Sequence, residues 1–138
     1  MYSNLGLIAS ALLSLFTSSA MAAVTVDTTV SAVSRSANNI TSPQFSTTTS
    51  NELILVMVAA DRKNGGGPNM TVQSISGAGL SWDLVRRVNV QAGTAEIWKA
   101  MATTPVTRTT VKATLANKAA VSITVVSFAG VDTSGTNG

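Results

Sequence analysis

Cysteine and histidine are absent from this chain of 138 residues, and aromatics are few, with two Trp, one Tyr and three Phe. Without a thiol there is no disulfide staple, no lipid anchor through cysteine and no cysteine nucleophile. Without imidazole as well, the usual nucleophile–base pairs and N/S-ligated metal sites are excluded. Charge is also scarce, nine Lys and Arg against six Asp and Glu. The cations stand in pairs, Arg62-Lys63 and Arg86-Arg87, or singly at Arg35, Lys99, Arg108, Lys112 and Lys118. Nucleic-acid binding needs concentrated basic charge interleaved with aromatic stacking groups, and neither is present. Scattered cations leave only weak, salt-sensitive attraction to anionic polysaccharide.

What is present begins with "MYSNLGLIASALLSLFTSSAMA" over residues 1–22. Its apolar run, residues 5–16, is too short to cross a bilayer. Small polar residues follow, and then the small-x-small triplet Ala20-Met21-Ala22. These are features of a secretory signal peptide, helical over its apolar run, although no Lys or Arg precedes that run. A packed amphipathic helix fits less well, because Leu5, Leu7, Ile8, Leu12, Leu13, Leu15 and Phe16 cover most of a helix circumference. The expectation is an exported protein, secreted or at the cell surface, with no membrane span once the signal is removed. Residues 23–138 then form one domain of about 115 residues, able to bury about two-thirds of its unfolded surface without staples.

The rest of the chain alternates with period two and is rich in Val, Ile and Thr, the pattern of strands. Strands are expected over residues 24–33, 52–60, 70–76, 80–90, 94–102, 107–116 and 120–130. The stretch "ELILVMVAA" (52–60) is continuously apolar and reads as a central strand covered on both sides, or as the innermost strand of a sandwich. Gly, Pro and Asn break the pattern in "SPQ", "NGGGPN", "SGAG", "QAG", "TTP" and "ANKA". Short strands at this spacing predict an all-β fold, an antiparallel sandwich.

Two tryptophans fall in "GLSWDLVRRVNVQAGTAEIWKA" (79–100). Trp82 shares a face with Leu80 and Leu84 and reads as core. The consecutive Arg86 and Arg87 break the alternation, so one of them snorkels or marks a bulge. Trp98 leaves two readings open. It is a second core residue, or it is a surface platform on which a sugar ring stacks while Glu96 accepts hydroxyl hydrogen bonds. In the second reading Asn89 and Gln91 supply polar neighbours from the adjoining strand and turn.

Catalytic chemistry could draw only on Asp27, Glu52, Asp61, Asp83, Glu96 and Asp132. Asp83 and Glu96, on neighbouring strands, are the best glycosidase-like pair on offer, yet nothing in their spacing implies the fixed separation such a pair needs. Two loops carry an acidic residue that could begin a calcium site, and neither suits the ion. "DRKNGGGPN" puts Lys63 where a ligand oxygen belongs, and "DTSGTNG" has too few carboxylates. No catalytic residue, metal or cofactor is therefore expected.

The segments "TSPQFSTTTSNELILVMVAAD", "GAGLSWDLVRRVNVQAGTAEIWKA" and "SITVVSFAGVDTSGTNG" resemble a β-sandwich module of bacterial secreted and surface proteins. Similar "LxW", "EIW" and "VxFxGVD" strands occur in adhesin-like and phage-tail-like multidomain chains, beside immunoglobulin-like or fibronectin-like repeats. The resemblance covers most of residues 37–138. It implies an immunoglobulin-like or jelly-roll-like sandwich with a structural or adhesive role, and it carries over no catalytic residues. It also implies truncation, since such modules continue past the "GVD" turn with further strands. The expected function is thus a non-enzymatic module at or outside the cell surface, with polysaccharide or other surface proteins as partners. One alternative is a carbohydrate-binding module using Trp98. Another is self-association into a filament, by exchange of the strand at residues 24–33.

Overall fold

The structure, a computed structural model, describes residues 23–62, 69–89 and 92–133. The signal-like segment at 1–22 lies outside the described residues, as do Gln91 and residues 134–138. Six strands are formed: β1 (Thr25–Thr41), β2 (Glu52–Asp61), β3 (Val72–Gly77), β4 (Asp83–Val88), β5 (Gly93–Ala102) and β6 (Val111–Ala129). All pairings are antiparallel, in the order β1-β6-β2-β5-β4, with β3 joined to β6. The fold is all-β, as the period-two patterning predicts.

One strand is longer than the sequence implies. Residues 107–116 and 120–130, expected as two strands around an "ANKA" turn, contribute to a single strand, β6. The polar pair Asn117 and Lys118 stays exposed while Ala119 returns to the core at 4% exposure. The irregularity falls on β1, whose register shifts between Ser34 and Ala37 and again between Ala37 and Asn39. A neighbouring strand that runs on past the polar pair keeps supplying backbone partners, and bulges absorb the bend. By the same pairing β1 extends to Thr41, well beyond the expected 24–33, and that stretch is bonded in register to its own β6.

β6 organises the two ends of the sheet. Its first part pairs with β3 (Val72 opposite Leu115, Gly77 opposite Val111), and its second with β2 (Asp61 opposite Ala120, Leu53 opposite Phe128). Gly77 is required at the β3 end, since at φ +117° a Cβ would collide with the Thr110 carbonyl. The loop after β1 is bound back by Ser42, Phe45 and Thr47, which exchange backbone hydrogen bonds with residues 106–111. Although β3 and β5 are not neighbours in the sheet, the Val72 N–H donates to the Glu96 side chain at 2.7 Å. The sheet therefore curls until β3 comes over β5.

Between them lies one apolar cluster, in which Ile54, Val56 and Val58 of β2 and Ile123 and Val125 of β6 meet Met70, Val72, Val111 and Leu115. Trp82 and Trp98 pack against its rim, partly buried. Each aliphatic side chain fully enclosed here contributes about 1.5–3 kcal/mol.

β2 is central, but only one of its faces is fully covered. Glu52, Ile54, Val56, Val58 and Ala60 are buried, Leu53 and Leu55 are half-buried, and Met57 and Ala59 are exposed. The strand pairings put four rows on that outer face. Val26, Phe128, Leu53 and Met101 form the first, and Thr29, Val126, Leu55, Lys99 and Asp83 the second. Ser31, Thr124, Met57, Ile97 and Arg86 form the third, and Val33, Ser122, Ala59, Ala95 and Val88 the fourth. A solvated face of an antiparallel sheet is normally polar at such positions. Here it is largely apolar, and no described element crosses it.

Candidate functional site

Two buried carboxylates mark the polar interior, one on β5 and one at the start of β2. Glu96 is 2% exposed. Its Oε1 accepts from the Val72 N–H at 2.7 Å, Arg87 Nε at 2.8 Å and the Thr94 hydroxyl at 3.0 Å. Its Oε2 accepts from Trp98 Nε1 at 3.0 Å and Arg87 Nη2 at 3.1 Å. The same Nη2 donates to the Val72 carbonyl at 2.8 Å. Both backbone groups of Val72 are thereby satisfied by side chains where the curled sheet offers β3 no strand on that side.

A bulge makes this possible. Leu84 faces Trp98 and Arg86 faces Ile97, with one residue of β4, Val85, inserted between them. The insertion brings Arg87 instead of Arg86 opposite Glu96 and turns Arg87 inward. The expectation of a bulge near the Arg pair is thus met. Burial pushes the Glu96 carboxyl up, but the Arg87 guanidinium, the Val72 N–H, the Thr94 hydroxyl and the Trp98 indole outweigh it. The group is held below the usual carboxylate range.

The residues singled out from sequence fall as follows. Trp98 turns inward on the Glu96 side, half-buried, and spends its indole N–H on Glu96. Glu96 has both oxygens occupied by protein donors and none turned to solvent. Asn89 is half-exposed just beyond the end of β4, and Gln91 lies outside the described residues. Asp83 pairs with Lys99 on the outer face, whereas Glu96 points inward. These two carboxylates, the best catalytic pair on offer from sequence, sit on opposite faces of the sheet. Trp82 is partly buried and donates to the Gly77 carbonyl at 3.3 Å.

The second carboxylate was counted in the sequence but not singled out. Glu52 is fully enclosed, at 0% exposure. Its Oε1 accepts the Thr49 N–H at 2.9 Å and the Thr49 hydroxyl at 2.7 Å. Its Oε2 is buried with no hydrogen-bond partner. Beside it stands Asp27 of β1, whose oxygens accept the Thr48 N–H at 2.8 Å and the Thr48 hydroxyl at 2.6 Å. That hydroxyl, against a smaller desolvation effect and with help from the Thr48 N–H and a hydrogen-bond contact to Glu52, holds Asp27 below the usual carboxylate range. The pattern Thr-x-x-Glu just before a strand was the only sequence trace of this arrangement. Among the described residues, no three Asp or Glu side chains gather in a metal-ligating group.

Compared with known protein families, with curated proteins and with solved structures, the chain matches none.

Proposed function

We propose that this chain is an exported, non-enzymatic β-sandwich module with a structural or adhesive role at or outside the cell surface. The observation that carries the reading is the uncovered outer face of β1, β6, β2, β5 and β4. Met57 and Ile97, each 38% exposed, Met101 at 42% and Val88 at 50% lie on it within neighbouring rows. A contiguous apolar patch left open on a small domain marks a surface meant for a partner. Ser31, Thr124 and Ser122 add hydroxyls to it, and Arg86, Lys99 and Asp83 add charges of both signs. Flat, aliphatic and sparsely charged, such a face suits another apolar protein surface better than a sugar ring, which favours an exposed aromatic platform. The resemblance to sandwich modules of bacterial surface proteins supports the same assignment, and the signal-like residues 1–22 support export.

The test is a double variant, Met57→Lys with Ile97→Lys, measured by light scattering after size exclusion and by capture on whole cells. Met57 and Ile97 are cross-strand partners beside Arg86, so the two lysines repel and cost about 1–2 kcal/mol in total, which leaves the domain folded. The expected result is loss of self-association and of cell capture with a urea transition that stays cooperative. Polysaccharide turnover that disappears in Asp83→Asn would overturn the non-enzymatic reading, and capture that survives the double variant would remove the face from it.

A further inference from the structure

We infer that the Asp27–Glu52 pair is a binding site for a hard divalent cation of the calcium type, which locks the loop after β1 onto the starts of β1 and β2. The argument starts from an oxygen. Glu52 Oε2 is buried, receives no donor, and belongs to a side chain with no solvent exposure. Its acidic neighbour Asp27 shares a hydrogen bond with it only when one of the pair carries a proton; with both ionised each only accepts, and the oxygen is left without a partner. Leaving such a group unpaired costs more than a neutral orphan would, which is why a buried charge calls for a counter-charge. No Lys or Arg side chain is bonded to either acid among the described residues, in contrast to the Arg87–Glu96 bridge at 2.8 Å.

The available donors are all oxygens, the ligand type a hard cation takes. Glu52 supplies Oε2. Each Asp27 oxygen accepts one hydrogen from Thr48 and keeps a lone pair free. The Thr48 and Thr49 hydroxyls donate to Asp27 and Glu52 respectively, so their own lone pairs remain available as well. Asp27 and its Thr48 bonds lie toward solvent, which provides both an entry path and room for water to complete six to eight ligands. Two carboxylates and hydroxyls make a modest site, in the range of about 0.1–1 mM found for extracellular modules. Because adjacent residues Thr48 and Thr49 each hold one acid, occupancy would tie the loop to two strands at once.

The experiment uses the full chain stripped with chelator and then titrated with calcium chloride, sodium chloride serving as an ionic-strength control. Urea unfolding is followed by tryptophan fluorescence. At about 10 mM calcium the folding equilibrium should shift about 10–100-fold toward the native state, as mass action requires for that affinity range. The shift should vanish in Glu52→Gln and in Asp27→Asn, while both retain a cooperative transition. Asp27→Asn, at the solvent side, serves if Glu52→Gln does not fold. A wild-type transition indifferent to calcium, as when a proton shared with Asp27 satisfies the orphan oxygen, overturns the inference. So does an equal response to sodium, or a calcium response that survives both substitutions.

Discussion

Glu96 and Glu52 are both enclosed glutamates on the inner face of one curled sheet, yet they are treated in opposite ways. Five donor contacts converge on Glu96, two of them from the opposite charge of Arg87. Glu52 receives two, both from Thr49 and both on the same oxygen. The first acid is saturated and ties β3, β4 and β5 together where the backbone ladder gives out. The second is left open beside another acid. A buried carboxylate is therefore not informative by itself; the count of donors on each oxygen separates a saturated structural hub from an acid with one oxygen left without a partner.

The largest effect should come from emptying the hub. Glu96→Ala leaves the half-buried Arg87 without its partner and strips the Val72, Thr94 and Trp98 donors of their acceptor. Removing one member of a buried ion pair costs about 3–5 kcal/mol. Urea unfolding should lose that much, and in a domain of modest size much of the native state goes with it. A loss below about 1 kcal/mol would mean that water replaces the carboxylate, and that the hub is not what holds β3 over β5.

Trp98→Phe sharpens the same point by keeping most of the ring and removing only the N–H. A hydrogen bond to a charged acceptor contributes about 1.5–3 kcal/mol, so a destabilisation of about 2 kcal/mol is expected. Trp98→Ala, which removes the ring as well, then isolates any surface role. Polysaccharide affinity retained by folded Trp98→Ala would exclude a stacking platform, and affinity kept by Trp98→Phe but lost in Trp98→Ala would restore one.

Acid probes the two regions together. Both Glu96 and Asp27 are held below the usual carboxylate range. Between the ordinary value, about 4 for unfolded carboxyls, and the lower folded value, the unfolded chain binds more protons. Stability from these groups is thus fully present above that ordinary value and is lost as pH falls through the folded one. Urea midpoints should be flat from neutral pH down to about 5 and fall steeply below about 4. Glu96→Gln should flatten the acid limb more than Asp27→Asn, because Glu96 is the enclosed group. An acid limb identical in all three proteins would mean that neither carboxylate carries the pH dependence.

Most of the strand content was legible, because alternation of Val, Ile and Thr with polar residues is local and survives any tertiary arrangement. The bulge was legible in part: the arginine pair pointed to a snorkelling side chain or a bulge, and the structure has a bulge at Val85 that leaves Arg86 outward and Arg87 inward. The long β6 was not. "ANKA" has turn chemistry, and only the presence of β1 alongside, with its own bulges, keeps those residues extended. Nor was the role of Glu96: its donors come from Val72, Arg87, Thr94 and Trp98, and the most distant of them stands 24 residues away. The face of a strand follows from its own sequence, but the number of donors meeting at one oxygen depends on where the sheet curls.

The smallest effect tests the open acid directly. With calcium removed, Glu52→Gln keeps the oxygen that Thr49 holds and replaces the orphan oxygen by an amide that donates toward Asp27. Two adjacent acceptors become a donor–acceptor pair, so the variant should match the wild type or exceed it by up to about 1 kcal/mol. This is the reverse of what Glu96→Gln should do, where an amide nitrogen would face the donors of Arg87 or Trp98. Opposite signs for the same chemical change would show that the two glutamates differ by donor supply alone. A loss of similar size at both positions would mean that the Glu52 environment already satisfies a negative charge, leaving the calcium site without its driving force.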